Sequence, residues 1–321
     1  MQGVRKSPIM NVGTYCRFMG IQTAISAFID TYKLYEKVQI VSLGSGLDTS
    51  YFLRKKKELE KKSTDISGRG TKVKAVFFEI DFDAVNREKI KTIMNTERLL
   101  KLLPDPPTVD MSTGNSSLIC SDYSIISGDL RAFNPTIISK LLRKDQGSLD
   151  KLASFDYKLP TLVLAECALI YLAPRDSNSI IDYFGGNYGF ESEERSAKNR
   201  GPVVYFGYDH IEPFDRFGEQ MIYNLGSIGI DLKSISTYHS VKSQQDRFLD
   251  PCRKWTFSRS VDLWQFYSTF VPVPEKSRMS KLEMLDELEE LKILLSHYCF
   301  TLASLYDLPQ NSELFKFSEK I

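Results

Sequence analysis

The sequence lacks the features that would assign a function class at once. It has three histidines and five cysteines in 321 residues, and no two cysteines form a CxxC pair. We therefore expect neither a metal site nor a disulfide framework. No run approaches the ~18 apolar residues of a membrane helix, and the first residues contain no apolar core of a signal peptide. Lysine and arginine (42) balance aspartate and glutamate (41), so charge indicates neither a nucleic-acid nor a membrane partner. We expect a cytoplasmic protein.

What the sequence does contain is a glycine turn after an apolar run, in which residues 38–43 are followed by Gly44, Ser45 and Gly46. Glycines lack the Cβ that keeps a backbone away from a ligand at the end of a buried strand. Thr49 stands where a dinucleotide-binding G-x-G-x-x-G has its third glycine. This favours the related turn that binds S-adenosylmethionine over a nicotinamide dehydrogenase. An ordinary tight turn of any α/β domain is the alternative.

Strand-like apolar runs alternate with helical or polar stretches at residues 38–43, 73–80, 123–127, 161–165 and 203–207. This alternation predicts an α/β fold with a doubly wound, mostly parallel sheet. Four acids, Asp81, Asp129, Glu166 and Asp209, each follow one of these runs, at the sheet edge where such folds bind ligands. A single acid there is more often a helix N-cap, but four beside a glycine turn favour a binding site.

Two stretches have the composition of insertions. Residues 54–74 are dense in Lys and Glu and are expected to form a solvated helix end and a loop, not a nucleic-acid patch. Residues 104–117, rich in Pro, Asp and Ser, are expected to form a loop. Leucines recurring from Leu282 to Leu295 predict a surface helix. Residues 253–261 and 297–304 predict two further strands.

The chemistry of S-adenosylmethionine suggests a role for several of these groups. A carboxylate that accepts two hydrogen bonds suits the ribose diol, and Asp81 is placed for that. Asp129 with Leu130 would serve the adenine. Glu166 would bind the amino end, and Arg17 would bind the carboxylate. By composition alone, Arg17 is more often an exposed arginine on an amphipathic helix.

Several motifs, in this order along the chain, resemble the leucine carboxyl methyltransferase family. They are Asn11-Val12-Gly13-Thr14-Tyr15-Cys16-Arg17, the glycine turn from Val41 to Thr49, Glu79-Ile80-Asp81-Phe82, Ala165-Glu166-Cys167-Ala168-Leu169-Ile170-Tyr171-Leu172, Asp215-Arg216-Phe217-Gly218, and Leu285 to Leu291 followed by His297-Tyr298-Cys299. The resemblance runs from about residue 7 to about residue 305, with the two insertions as exceptions. It implies a class I S-adenosylmethionine-dependent methyltransferase fold with a seven-stranded sheet. Residues 1–321 would form a single domain, with an N-terminal helical cap over residues 1–36 and a helical substrate lid over residues 209–250.

The resemblance also implies an activity. The family uses S-adenosylmethionine to esterify the C-terminal leucine α-carboxylate of the type-2A protein phosphatase catalytic subunit, whose body we expect the enzyme to contact as well as its tail. By the resemblance, Arg17 would bind the donor's carboxylate, close to the carboxylate that is methylated, and Tyr171 would line the substrate side. Gly44, Ser45 and Gly46 would form the donor-binding turn. Asp81 would bind the ribose, Asp129 and Leu130 the adenine, and Glu166 the donor's amino end. Arg17 and Tyr171 would position the reactants. No general base is needed, because a carboxylate is already ionised at neutral pH.

One departure and two alternatives accompany this interpretation. Family members carry a few dozen residues ahead of the Asn-x-Gly-x-Tyr-x-Arg segment, whereas ten precede Asn11 here, so we expect weaker donor binding than in a longer relative. One alternative is a methyltransferase of the same fold that modifies a tRNA base side chain, although a net charge of +1 offers little for phosphates. The other is a donor- or phosphatase-binding protein without catalysis.

Overall fold

The computed structural model describes residues 7–64, 73–137, 140–141, 154–186 and 200–321. These residues contain a nine-stranded, largely parallel α/β sheet, so the predicted fold class is confirmed, although the sheet has nine strands where seven were predicted. The chain divides into two compact units. The first unit comprises the described residues up to 31 with 167–175 and 205–321, and the second comprises those of 32–166 and 176–204.

The five apolar runs predicted to be strands all form strands. The strands are β1 (Lys37–Leu43), β2 (Lys74–Asp81), β3 (Thr108–Asp110), β4 (Ser117–Ile119), β5 (Tyr123–Ser127), β6 (Thr161–Glu166), β7 (Val203–His210), β8 (Phe257–Asp262) and β9 (Tyr298–Ser304). The helices are α1 (Pro8–Thr31), α2 (Ser50–Thr64), α3 (Asp83–Met94), α4 (Glu97–Leu100), α5 (Pro174–Gly185), α6 (Arg216–Ser227), α7 (Val241–Phe248), α8 (Leu263–Thr269), α9 (Val273–Ser280), α10 (Leu288–Ser296) and α11 (Glu313–Ser318). None of these described helices is long and apolar enough to cross a membrane.

The second unit is built on four parallel strands. Its strand order is β3-β4-β5-β2-β1-β6, and β1 pairs in parallel with both β2 and β6, while β2 pairs in parallel with β5. Every residue of β1 after Lys37 is buried, as is every residue of β5. Continuous burial explains the apolar runs, because a parallel strand covered on both faces has no solvent-facing side.

The stretch 104–117 is not simply the loop that its composition predicts. It contains β3, which pairs antiparallel with β4, and β4 pairs antiparallel with β5. Leu118 on β4 is fully buried, so one apolar side chain anchors this polar hairpin. Three-residue strands are too short for their alternation to be recognised in the sequence. The other insertion begins within helix α2, and residues 65–72 lie outside the described residues.

In the first unit, the two strands predicted near the C-terminus are confirmed, with β8 antiparallel to β9. Helix α1 packs closely on β9, because a Cβ at Gly20 would lie only 2.3 Å from the ring of Phe300. The leucine-rich helix is shorter than predicted, since α10 begins at Leu288 and Leu282 is 67% exposed outside it. Acidic side chains gather at the start of α10, with Glu287 as N-cap and Glu289 and Glu290 in the first turn, where the helix dipole favours negative charge.

Candidate active site

The glycine turn of the second unit adopts a backbone that other residues avoid. Gly44 and Gly46 have φ of 63° and 53°, in the left-handed region that favours glycine. The backbone N–H groups of Gly44 and Ser45 donate to the carbonyl of Ile80 at 2.8 and 3.1 Å. A Cβ at Gly46 would meet nothing within 4 Å. Steric room therefore remains at Gly46, and the conformation itself calls for glycine.

Asp81 ties this turn to the end of β2. Its Oδ2 accepts the Gly46 N–H at 2.6 Å, and its Oδ1 accepts the Phe82 N–H at 2.7 Å. Each carboxylate oxygen retains a lone pair for a further donor. The hydroxyl of Ser45 is buried and has no hydrogen-bond partner. Open space, spare acceptors and an unpartnered hydroxyl fit a ligand with a hydroxylated sugar.

The strand register brings most of the predicted site residues to one edge of the sheet. Leu43 lies opposite both Ile80 and Ala165, and Asp81 lies opposite Ser127. The backbone N–H of Gly128 also donates to the Asp81 carbonyl at 2.9 Å. The residues at and just beyond these positions therefore line the carboxyl edge of β5, β2, β1 and β6, where open α/β sheets bind ligands. They are Gly44, Ser45, Gly46, Asp81, Asp129, Leu130 and Glu166.

Asp129 carries out the N-cap role that sequence reasoning kept as an alternative. It precedes the 3₁₀ helix Leu130–Ala132, and its Oδ1 accepts the Arg131 N–H at 2.9 Å. Hydrogen bonds from Arg131 also lower the pKa of the Asp129 carboxyl. The Arg131 guanidinium is more than half exposed, and such exposed pairs contribute only ~0–1 kcal/mol. Asp129 is therefore available to a ligand only in competition with a weakly held arginine.

Asp209 does not follow its strand as predicted, because β7 continues to His210. Its side chain is 4% exposed, and Oδ1 has no hydrogen-bond partner. Burial raises the pKa of Asp209 to about 7, against the opposing charge of Arg247 and a hydrogen bond from the Ile170 N–H. From the sequence alone, an acid buried within the last residues of a strand cannot be distinguished from an acid that follows the strand, because both come directly after the same apolar run.

The first unit contains a second group of polar and aromatic side chains, which we call the tyrosine cluster: Arg17, Tyr171, Tyr208, His210 and Tyr298. Arg17 on α1 is half-buried, and its guanidinium lies 5.2 Å from the centroid of the Tyr208 ring. The Tyr208 and Tyr298 rings stack with centroids 5.3 Å apart and planes 2° apart. Arg17 is thus held over an aromatic face by a cation–π contact and is not the fully exposed arginine that composition favours.

Tyr171 stays a hydrogen-bond donor at neutral pH. Burial raises the pKa of its phenol to about 12, with the charge of Arg17 opposing the shift. Tyr171 ends the 3₁₀ helix Leu169–Tyr171, whose Ile170 carbonyl accepts the Ser234 N–H at 3.1 Å. An apolar cluster joins this short helix to α6 and the segment after it. Its members are Ile170, Met221, Leu232 and Ile235, with Tyr171, Phe217, Leu225 and Ile230 packed around them.

The motif from Asp215 to Gly218 forms the start of α6. The Gly218 N–H donates to Asp215 Oδ1 at 2.7 Å, and the same oxygen lies 2.9 Å from His297 Nε2. Although partial burial opposes the shift, these contacts lower the pKa of Asp215. A Cβ at Gly218 would lie 2.1 Å from the carbonyl oxygen of Glu212. The glycine is therefore required by close backbone approach, and the aspartate by N-capping.

Sequence reasoning missed Tyr208, His210 and Tyr298 as site residues. Tyr208 and His210 are two apart on β7 and so share a face of the strand, but the apolar run around them gave no sign of which face meets Arg17. Of the three, only Tyr298 could have been suspected from the sequence, because it falls in a motif of the family resemblance. In the part of the chain that the structure describes, no group of three or more His, Cys, Asp or Glu side chains is arranged to hold a metal ion.

The model of the family named leucine carboxyl methyltransferase matches residues 2–185, more than half of the chain. The chain belongs to the leucine carboxyl methyltransferase family. It is therefore a methyltransferase, and its methyl donor is S-adenosylmethionine, whose sugar the glycine turn and Asp81 suit.

Curated relatives agree with this family over nearly the whole chain. The Leucine carboxyl methyltransferase 1 homolog of Arabidopsis thaliana is 33% identical over 300 residues, which cover 94% of this chain and 78% of that protein. Leucine carboxyl methyltransferase 1 of Schizosaccharomyces pombe is 33% identical over 305 residues, covering 94% and 84%. The tRNA wybutosine-synthesizing protein 4 of Rattus norvegicus is 30% identical over 323 residues, but these cover only 41% of that protein.

Among solved structures, a DUF574 family protein from Streptomyces avermitilis matches with a TM-score of 0.51. It is 8% identical, and the match covers 92% of this chain and 85% of that chain. At this identity the likeness concerns the fold alone.

Proposed function

We propose that this methyltransferase esterifies the C-terminal leucine α-carboxylate of the type-2A protein phosphatase catalytic subunit. The observation that carries the proposal is the half-buried Arg17 guanidinium held over Tyr208. The phenol of Tyr171 is neutral and close enough to Arg17 for that charge to act on its pKa. A fixed cation beside a neutral donor suits carboxylates, which need charge-assisted hydrogen bonds and no base. The names of the relatives from Arabidopsis and fission yeast support the leucine carboxyl group as acceptor.

The chemistry asks little of the protein beyond positioning. S-adenosylmethionine supplies a methyl group on a sulfonium, and the electron pair of the broken C–S bond remains on sulfur as the carboxylate oxygen forms the new C–O bond. No proton moves. Arg17 would bind the donor's carboxylate, Tyr171 would orient the acceptor, and Gly44, Gly46 and Asp81 would hold the nucleoside. Such positioning contributes roughly 7–11 kcal/mol in favourable cases.

The partner and compartment form part of the same proposal. A lone peptide tail offers little surface for affinity, so we propose that the body of the phosphatase subunit is contacted as well. The odd number of dispersed cysteines is typical of a reducing compartment, which supports the cytoplasm.

The deciding experiment is methyl transfer from labelled S-adenosylmethionine to the purified phosphatase catalytic subunit. The matched acceptor is the same subunit without its terminal leucine. Base-labile label on the intact subunit alone is the expected result, because esters of α-carboxylates hydrolyse in base. Donor binding by calorimetry without any label would instead support the alternative of a non-catalytic binding protein.

A second candidate is methylation of a tRNA base side chain. The 30% identity to the rat tRNA wybutosine-synthesizing protein 4 over 98% of this chain favours it. Binding to tRNA through phosphates would require affinity that falls steeply with salt. Salt-dependent retention of the protein on immobilised tRNA, with label on the tRNA and none on the phosphatase, would select this candidate.

A further inference from the structure

The starting point is a polar group in the tyrosine cluster that has no hydrogen-bond partner. His210 is 6% exposed, and its Nδ1 is buried without a partner. Buried polar atoms in folded proteins are nearly always paired, and each exception calls for an explanation. One such explanation is a ligand that supplies the missing partner.

His210 lies among the groups assigned to carboxylate binding. It shares a face of β7 with Tyr208, whose ring carries the Arg17 guanidinium. Its own ring lies 4.7 Å from the Tyr298 ring, which is stacked on Tyr208. Tyr298 from β9 is therefore in ring contact with the imidazole. Tyr208, on the same strand as His210, stacks on Tyr298 and lies under Arg17.

The imidazole is neutral under working conditions. Burial lowers the pKa of His210 to about 4, and the nearby positive charge of Arg17 acts in the same direction. A neutral imidazole still carries one N–H donor. It thus offers a hydrogen bond without adding a second cation beside Arg17.

The reaction brings two carboxylates together, the one on the donor's methionine end and the one on the acceptor's terminal leucine. Arg17 is assigned to the donor's carboxylate, and Tyr171 offers one neutral donor on the acceptor side. The acceptor's carboxylate has to be held while its oxygen remains nucleophilic. A neutral N–H donor orients a carboxylate through a charge-assisted hydrogen bond. It places no second positive charge beside the attacking oxygen, so it lowers the nucleophilicity of that oxygen less than a cation would.

We propose that the imidazole of His210 donates a hydrogen bond to the acceptor carboxylate, while Arg17 binds the carboxylate of the donor. This inference rests on the proposed function, since it names a residue for its acceptor. His210 is thereby a substrate-binding residue that orients the attacking oxygen.

The test compares two substitutions that share the loss of the imidazole. His210→Leu removes the donor, whereas His210→Gln keeps a neutral N–H donor. For each variant, kcat and KM are measured with the phosphatase catalytic subunit, and Kd for S-adenosylmethionine is measured by calorimetry.

We expect His210→Leu to lower kcat/KM for the acceptor by about 10-fold, through a higher KM, a lower kcat or both. This is the effect of one lost hydrogen bond to a charged group. His210→Gln should recover most of this loss, because its amide keeps a neutral N–H donor. The donor Kd should stay within about twofold in both, which also shows that each variant is folded.

Three results would overturn the inference. They are wild-type kinetics in His210→Leu, equal losses in the leucine and glutamine variants, and a loss confined to donor affinity, which would assign His210 to the donor's carboxylate. Failure of the proposed function is distinct, because the unaltered protein would then leave the phosphatase subunit unlabelled.

Discussion

Asp81→Asn tests whether one carboxylate both holds the glycine turn and binds the donor. The two carboxylate oxygens accept the N–H groups of Gly46 and Phe82 at 2.6 and 2.7 Å. Asparagine offers one acceptor oxygen and an NH₂ group, so one of these N–H groups would face a donor. Hydrogen bonds to charged groups contribute ~1.5–3 kcal/mol. Because Asp81 is half-buried, we expect the unfolding free energy to fall by ~1.5 kcal/mol, the lower end of that range.

Donor affinity should fall further than stability does. The remaining lone pairs of Asp81 are the acceptors assigned to the ribose hydroxyls, and the substitution removes the negative charge from both. We expect the Kd for S-adenosylmethionine to rise by about 10- to 100-fold, since each 1.4 kcal/mol is tenfold. Urea unfolding and isothermal titration calorimetry measure the two quantities separately.

Asp83→Asn is the matched control. Asp83, the first residue of α3, also accepts two backbone N–H groups, from Ser116 at 2.7 Å and Gly114 at 3.0 Å, but these belong to the connection between β3 and β4 and not to the glycine turn. It should lower stability and leave the donor Kd within about twofold. The reasoning is refuted if Asp81→Asn binds the donor as tightly as the unaltered protein, or if both variants weaken donor binding equally.

Three further changes have outcomes that the structure predicts. Gly218→Ala should lower the unfolding free energy in urea by ~1–3 kcal/mol or more, because its Cβ would lie 2.1 Å from a backbone carbonyl oxygen. Gly226→Ala in the same helix is the control: it has open space around it and should be neutral or stabilising by up to ~1 kcal/mol. Lys89→Met should cost ~3–5 kcal/mol in thermal or urea unfolding at pH 8, because it removes the ammonium 2.5 Å from Glu79. Burial already raises the pKa of Glu79 to about 7 against the charge of Lys89, so without that charge the carboxyl must be protonated or stay buried as an unpaired anion. No loss would mean that the pair is not formed. Burial lowers the pKa of His210 in the folded protein to about 4, below the ordinary 6.5. Between these pH values the folded protein binds fewer protons than the unfolded chain. The stability contribution of the neutral imidazole is therefore present above pH 6.5 and is lost as the pH falls towards 4, by up to ~3 kcal/mol. His210→Gln should flatten that part of the pH profile of urea unfolding, and an unchanged profile would contradict the assignment.

Much of the edge of the second unit was predictable because it depends on local rules. Buried parallel strands read as apolar runs, and their carboxyl ends meet at one edge. Asp81 and Glu166 were predicted to follow their strands and are the last residues within them, at the predicted edge, and Gly44 and Gly46 have the positive φ that makes glycine necessary. What the sequence did not reveal is that Asp81 already accepts two backbone N–H groups, since hydrogen bonds across strands depend on register.

Elsewhere, tertiary packing overrode local pattern. The stretch 104–117 pairs as a hairpin because β5 offers an edge to β4, and nothing in its polar composition reports that edge. The helix predicted from Leu282 begins only at Leu288, and of its leucines only Leu291, Leu294 and Leu295 are buried in a core.

The sequence by itself determined the fold class, the glycine turn and the family, because strand burial, backbone conformation and motif order are properties of short segments and of their succession. Only the tertiary structure decided what surrounds Arg17. Tyr208, His210 and Tyr298 come from two strands separated by almost ninety residues in the chain. Arg17 lies over Tyr208, Tyr208 stacks on Tyr298, and the His210 ring is tilted against Tyr298. This arrangement depends on how α1 packs against those strands. Burial in that arrangement, and no local feature of the chain, lowers the pKa of His210 and raises that of Asp209, since the cost of a charge depends on its surroundings in space.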